Sequence, residues 1–302
     1  MIAEIDKNGF ILDKNEELFL KVKQLEQVAD TTLKNYKSLF ARIEHRIQEK
    51  LDYANEDNLS SQILNFFTEI NFYKPSAYNG MVKQCNCYFN YLIKIKKIKN
   101  NPLKILGIKE RKVEFNPRPC DTEDLIKLLK VIDVHDYVGL RDYTSIMLIV
   151  DTGIRPSEAF RLEKTDINFE TNIIKVRKEI SKTKTGRILP VSTKVMIYLK
   201  ALLKYKFDTP YVFNTEEGQN MTTDRFGRRL GKYSWYADVK ITPYQLRHYF
   251  GTEYAKNKFC NILYLQKIMG HSKLEMTRRY VKIDEEDLAR NHKLASPIEK
   301  LD

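Results

Sequence analysis

The sequence predicts a mainly α-helical protein with a small antiparallel β-sheet, divided into two units. Three observations predict it. Apolar residues recur every three or four positions through most of the chain, the period falls to two around Ile174 and Ile188, and a stretch rich in proline, glycine and cations separates two helical regions. The 302 residues, 42% of them hydrophobic, are enough to bury two ordinary cores. The expected layout is a helical unit over residues 1–102, a basic linker over 103–118, and a second unit over 119–302.

About 15 residues precede the first recognisable helix. From Thr31 or Thr32, good capping residues, Leu33, Tyr36, Leu39, Phe40 and Ile43 mark one apolar face of a helix. Similar helices are expected from Ser60 to Ile70 and from Ser76 to about Lys97. The last ends in IKIKKIKNNP, where lysines suit the negative end of the helix dipole and Pro102 stops the chain. Lys94, Lys96, Lys97 and Lys99 then face outward, either as a solvated helix end or as a surface that tracks phosphates. Gly107, Pro117, Pro119 and five cations, among them Lys109, Arg111 and Lys112, give residues 103–120 the character of a linker able to lie along a DNA backbone.

The second unit opens with a helix capped by Asp121 or Thr122 and carrying Leu125, Leu128, Leu129 and Ile132. The run RDYTSIMLIVDTG is apolar all round, as a central core helix should be. Gly153 suits a left-handed cap, which puts Arg155 in a rigid corner, Pro156 at the first position of the next helix and Glu158 one turn on. Ile174 and Val176, then Ile188, Leu189 and Val191, bracket SKTKTGR as two strands joined by a tight turn at Thr185-Gly186. Helices resume at Ser192 to Tyr205, around Pro243 to Lys256, and from Asn261 to Met269. Gly270 closes the last, Ser272 is expected to cap a short helix carrying Tyr280, and His271 is expected to sit pinned in the corner and point outward.

A net charge of +12 points to a polyanionic partner. Nucleic acid is the first expectation, although proteins of ribosomes and membrane surfaces share such a balance. Cys85, Cys87, Cys120 and Cys260 lack metal-ligand spacing and read as reduced structural thiols, so no metal is expected. The acidic, interrupted N-terminus does not resemble a signal peptide, and no apolar run reaches the roughly 18 residues of a membrane span. The expected location is the cytoplasm.

Tyr280, nine positions after His271, carries the chemistry together with Arg155 and Arg247. A phenol attacks a phosphodiester poorly until its proton is removed, and the anionic phosphate repels it until cations neutralise the charge. Guanidiniums remain charged and present planar forks that match phosphate oxygens. A lysine on a mobile hairpin, Lys182 or Lys184, suits protonation of the leaving oxygen.

TGIRPSE, SKTKTGRILP, TPYQLRH, MGH and then Tyr280, in that order, resemble the tyrosine recombinases, or phage-type integrases, which include Xer and Cre. The likeness extends over nearly the whole chain, since helices with a T-x-x-x-Y start and a closing NP are similar to the α-helical core-binding domain of that family. It implies an α+β catalytic domain from about residue 119 and a tail from about 284, with Leu288, Ile298 and Leu301, that packs on a neighbouring subunit. Arg155 and Arg247 would clamp the scissile phosphate and Tyr280 attack it. Lys182, eight residues before Pro190, matches the hairpin lysine, with Lys184 in reserve. His271 would contact the phosphate and Glu158 support the site. Tyr244 stands where the family usually has histidine, three residues before Arg247, and is taken as a tolerated variant; His248 receives a packing role.

The resemblance further implies a 3′-phosphotyrosyl intermediate, no cofactor, and four protomers on two double-stranded DNA core sites. A type IB topoisomerase-like relaxing activity and a catalytically silent DNA-binding regulator are the alternatives.

Overall fold

The computed structural model describes residues 10–113, 118–257 and 260–281, with isolated positions 292, 296 and 298. The chain divides into two compact units, Met1–Glu114 and Phe115–Asp302.

The first unit contains α1 (Lys14–Leu25), α2 (Asp30–Ile47), α3 (Glu56–Glu69), α4 (Pro75–Lys94) and the single turn α5 (Pro102–Ile105). A reciprocal capping box starts α1: Asp13 accepts from the backbone of Asn15 and Glu16, and the Glu16 carboxylate returns to the Asp13 amide. Phe19, Phe40, Phe66, Tyr88 and Phe89 fill the core, with Phe19 meeting Tyr36 edge-on at 4.8 Å. Several expected boundaries move. Ala29, not a threonine, occupies the cap of α2, and α3 starts at Glu56 because Asn55 accepts from the amides of Asp57 and Asn58. Lys96 takes φ +58°, so α4 ends at Lys94 rather than near Lys97. Lys94, Lys96, Lys97 and Lys99 are exposed.

Much of the expected linker belongs to this unit. Leu103 is buried, and Leu106 and Ile108 pack against the aromatic core. The Asn79 amide brackets the Arg111 backbone with two hydrogen bonds of 2.8 Å. The Arg111 guanidinium lies 3.6 Å from the Tyr78 ring centroid and donates to the carbonyl of Asn71. Arg111 therefore fastens the segment down, whereas Lys109 and Lys112 are exposed. Residues 114–117 fall outside the described residues.

The second unit runs α6 (Thr122–Lys130), α7 (Tyr137–Thr152), α8 (Pro156–Ala159), a 3₁₀ turn (Lys164–Asp166), β1 (Ile167–Asn168), β2 (Ile173–Val176), β3 (Arg187–Pro190), α9 (Thr193–Leu202), α10 (Thr223–Tyr236), α11 (Pro243–Lys256), α12 (Ile262–Met269) and α13 (Leu274–Arg278). The strands form an antiparallel sheet in the order β1-β2-β3, with Ile174 opposite Leu189 and Val176 opposite Arg187. Helix α7 packs against α9 and α11 and buries Ile146, Leu148 and Ile149 completely, the central role its composition predicted. Gly153 ends it at φ +60°, where a Cβ would stand 2.2 Å from the Phe250 ring.

The strand connection is not the expected tight turn. Ten residues, 177–186, separate β2 from β3, and the left-handed position is Lys184 rather than Gly186. Helix α1 begins close to the expected position, about 15 residues from the start, whereas β1, α10 and the single turn α5, which opens at Pro102 where a stop was expected, are additions. The expected tail from residue 284, with Leu288 and Leu301, lies outside the described residues; Ile298 alone of its apolar positions is described, and it is exposed.

Candidate active site

The site gathers at the C-terminal end of α12. The last carbonyls of a helix have no partner within it and carry the negative end of its dipole. Here three consecutive carbonyls each accept from a different guanidinium. Ile268 O accepts from Arg187 Nε at 2.7 Å, Met269 O from Arg247 Nη2 at 2.8 Å, and Gly270 O from Arg155 Nη2 at 2.8 Å. The chain turns away through Gly270 at φ +63°, where a Cβ would stand 3.0 Å from the Arg187 guanidinium. A helix end thus sets three cations side by side.

Each arginine arrives on a rigid support. Arg155 is the cap residue of α8, just after the Gly153 turn. Arg187 opens β3, and Arg247 lies on α11, where it also donates to Gly153 O. Glu158 is the counter-charge, fully buried, with Oε1 3.0 Å from Arg155 Nη1 and Oε2 2.6 Å from Arg187 Nη2. Burial works to raise its pKa, but Arg187 and Arg155 outweigh it and hold the carboxyl below the ordinary 4.5. Burial, with Arg155 nearby, pulls Arg247 down to about 10, so it still keeps its charge at neutral pH.

His271 is buried, not outward-facing. Its Nε2 lies 3.1 Å from Arg247 Nη2 and its Nδ1 2.9 Å from Thr277 Oγ1. A guanidinium only donates, so Nε2 accepts and the ring proton sits on Nδ1, donated to Thr277. Burial and the charges of Arg247, Arg155 and Arg187 lower its pKa to about 3 and keep the ring neutral. The expected capping by Ser272 is absent: Lys273 holds the cap position of α13, and Tyr280 lies two residues past that helix with its amide donating to Thr277 O.

Tyr280 is 8% exposed, and its ring lies parallel to that of His271 at 6.2 Å between centroids. Burial raises its pKa, while Arg247 opposes that shift. Its Oη stands 2.7 Å from His248 Nδ1, so the packing role expected for His248 is wrong. Adjacent residues on a helix point about 100° apart, so the orientation of Arg247 says little about that of His248. Residues 244, 248 and 251 share a helix face at intervals of four and three, and that face meets Tyr280. At Gly251 a Cβ would sit 2.7 Å from Tyr280 Cε1, so the missing side chain is what admits the ring.

The remaining candidates are more peripheral. Tyr244 is 60% exposed, with its ring 5.5 Å from that of His248. Lys182 and Lys184 are exposed on the β2–β3 connection, and among the described contacts neither touches the arginines. A cavity of about 390 Å³ is lined by Thr183, Thr185 and Gly186 of that connection and by Gly270 and His271 opposite. Arg187, which also lines it, has a buried Nη1 without a hydrogen-bond partner among the described residues.

Comparison with known proteins decides the family. Residues 120–287, more than half of the chain, match the phage integrase family. The chain belongs to that family. Tyrosine recombinase XerD of Pasteurella multocida is 26% identical over 293 residues, covering 93% of this chain and 97% of its own. Tyrosine recombinase XerA of Pyrococcus furiosus is 30% identical over 189 residues, which is 61% of this chain and 64% of that protein.

The fold of this phage integrase family member is shared with the Tn1549 transposon integrase, solved in complex with a circular intermediate DNA (TM-score 0.68, 23% identity, 93% of this chain and 98% of that one). It is also shared with a lambda integrase dimer bound to a COC′ core site (TM-score 0.71, 15% identity, 91% and 99%). The residues that sequence reasoning missed are Arg187, His248 and Gly251. Arg187 stood in plain view at the end of the hairpin motif, but only the fold shows that it shares Glu158 with Arg155.

Proposed function

We propose that this chain is a tyrosine-type site-specific DNA recombinase, which cuts and rejoins DNA through a 3′-phosphotyrosyl intermediate. One observation carries the reading: three buried guanidiniums face a single carboxylate beside a phenol. With His271 neutral, the cluster holds about two positive charges in excess. A phosphodiester carries one negative charge, and phenolate plus diester carry two during transfer. The excess is therefore matched better to the transition state than to the bound substrate, which is the condition for catalysis by fixed charges.

In this reading Arg155 and Arg247 hold the non-bridging oxygens, after exchanging some of their bonds to the α12 carbonyls for the phosphate. Tyr280 attacks phosphorus and displaces a 5′-hydroxyl. The phosphotyrosine conserves the bond energy, so a second 5′-hydroxyl reverses the step and neither ATP nor a metal is called for. Lys182, with Lys184 as the alternative, protonates the leaving oxygen from the ten-residue connection, whose length gives it reach. Glu158 and His271 hold the guanidiniums in place. The exposed Lys94, Lys96, Lys97, Lys99, Lys109 and Lys112 contact DNA phosphates.

Exchange between two double-stranded core sites calls for four protomers, with integration, excision or resolution of a mobile element in the cytoplasm as the expected use. A nicked duplex, selected from a random library by binding to the protein, tests the chemistry. Wild type should trap a covalent adduct and Tyr280→Phe none; an adduct from that variant refutes the assignment. Lys182→Ala should be rescued by a bridging sulfur at the leaving position, since a thiolate departs without a proton. If Lys184→Ala alone shows that rescue, the lysine assignment moves.

A further inference from the structure

The geometry points to His248 as the group that takes the proton of Tyr280, a role that Tyr244 does not fill. The inference rests on the recombinase reading and adds to it the base that the reading lacks. His248 Nδ1 is 2.7 Å from Tyr280 Oη, inside the range in which a general base acts directly. Tyr244, one turn earlier on the same face of α11, is 60% exposed. A phenol is a very weak base, whereas a neutral imidazole offers a basic ring lone pair. His248 offers that lone pair one helical turn beyond Tyr244, on the same face of α11.

The seat of the nucleophile follows the same face. The Tyr280 ring rests against Gly251, where any Cβ would strike Cε1 at 2.7 Å, and this contact directs Oη toward the residue three positions earlier. Among the described contacts, His248 faces Tyr280, Tyr244, the Arg247 guanidinium and, across the Tyr280 ring, His271. Burial and then Arg247 lower the imidazole pKa from 6.5, so the ring is neutral and able to accept at pH 7.

The step balances without an added reagent. As Tyr280 Oη bonds to phosphorus, its proton passes to His248 Nδ1; the P–O5′ bond breaks and the leaving oxygen takes a proton from the hairpin lysine. On rejoining, the attacking 5′-hydroxyl gives its proton to the lysine and His248 returns the other to Tyr280.

Single-turnover adduct formation on the nicked duplex, followed from pH 5 to 9, tests this. His248→Gln should lower the rate about 10²- to 10⁴-fold, leave DNA affinity and melting temperature unchanged, and erase the inflection that wild type shows below pH 6.5. His248→Ala should recover part of its rate with added imidazole. The inference is overturned if His248→Gln keeps the wild-type rate and pH profile, or if the loss tracks weakened binding and imidazole restores nothing. A wild-type protein that forms no Tyr280 adduct would instead defeat the recombinase reading itself.

Discussion

Replacing Glu158 with alanine should be the most costly single change at the site for stability. Its carboxylate is fully buried and bonds Arg155 at 3.0 Å and Arg187 at 2.6 Å. The side chains of Arg187 and Arg155 are only 4% and 10% exposed, so solvent cannot take over as counter-charge. Breaking a buried pair in this way costs about 3–5 kcal/mol, because the surviving charges stay desolvated. For a unit of roughly 150–250 residues each kcal/mol moves the melting temperature by about 2–4 °C, so a drop of about 6–20 °C is expected.

Thermal unfolding of the full chain at pH 7 without DNA, followed by circular dichroism, measures it. Sulfate should stabilise the variant more than wild type, because an anion that binds the folded cluster refills the missing charge. The pH dependence has a definite sign. The folded carboxyl titrates below its ordinary 4.5, so its contribution is present above that value and is lost as pH falls through the folded value. Wild type should weaken in that range, and the variant should lack this component. A variant within about 1 kcal/mol of wild type, with no sulfate effect, would refute the claim that Glu158 holds the arginines together.

Gly251→Ala should lower adduct formation about 100-fold by pushing the buried Tyr280 ring off α11, with a fall in melting temperature from the lost packing; an unchanged rate would contradict the seating argument. His271 has a folded pKa near 3 against an ordinary 6.5. Its contribution is therefore complete above pH 6.5 and declines as pH falls toward 3, by up to about 1.4 kcal/mol per pH unit, so His271→Asn should flatten the acid limb of the stability profile. Arg111→Ala should destabilise the first unit by about 1–3 kcal/mol through lost bonds to Asn71 and lost stacking on Tyr78. If Lys97 contacts a phosphate, Lys97→Ala should instead reduce the salt slope of DNA binding by about 0.9 while leaving stability alone.

The elements were legible wherever a local rule governs them. An apolar period marked the helices, Gly153 and Gly270 marked their ends, and alternation at Ile174 and Leu189 marked the sheet. Boundaries slipped where a competing local choice prevailed, as when Asn55 captured the start of α3 or Lys96 ended α4 in a left-handed turn. The linker expectation failed for Arg111 because charge and proline content do not reveal that a guanidinium lies on Tyr78 and that Asn79 holds the backbone beside it.

The sequence by itself determined that two helical units are present, and that Arg155, Arg247, His271 and Tyr280 stand in an order suited to phosphoryl chemistry, since residue type and spacing along one strand of chain are enough for both. Tertiary structure alone decided which groups touch. Glu158 and Arg187 are 29 residues apart, and His248 and Tyr280 are 32. Such pairs meet because α12, the β3 strand and α11 pack around one helix end, where unpaired carbonyls draw in the arginines. That field acts through space, and no local pattern in the chain encodes it.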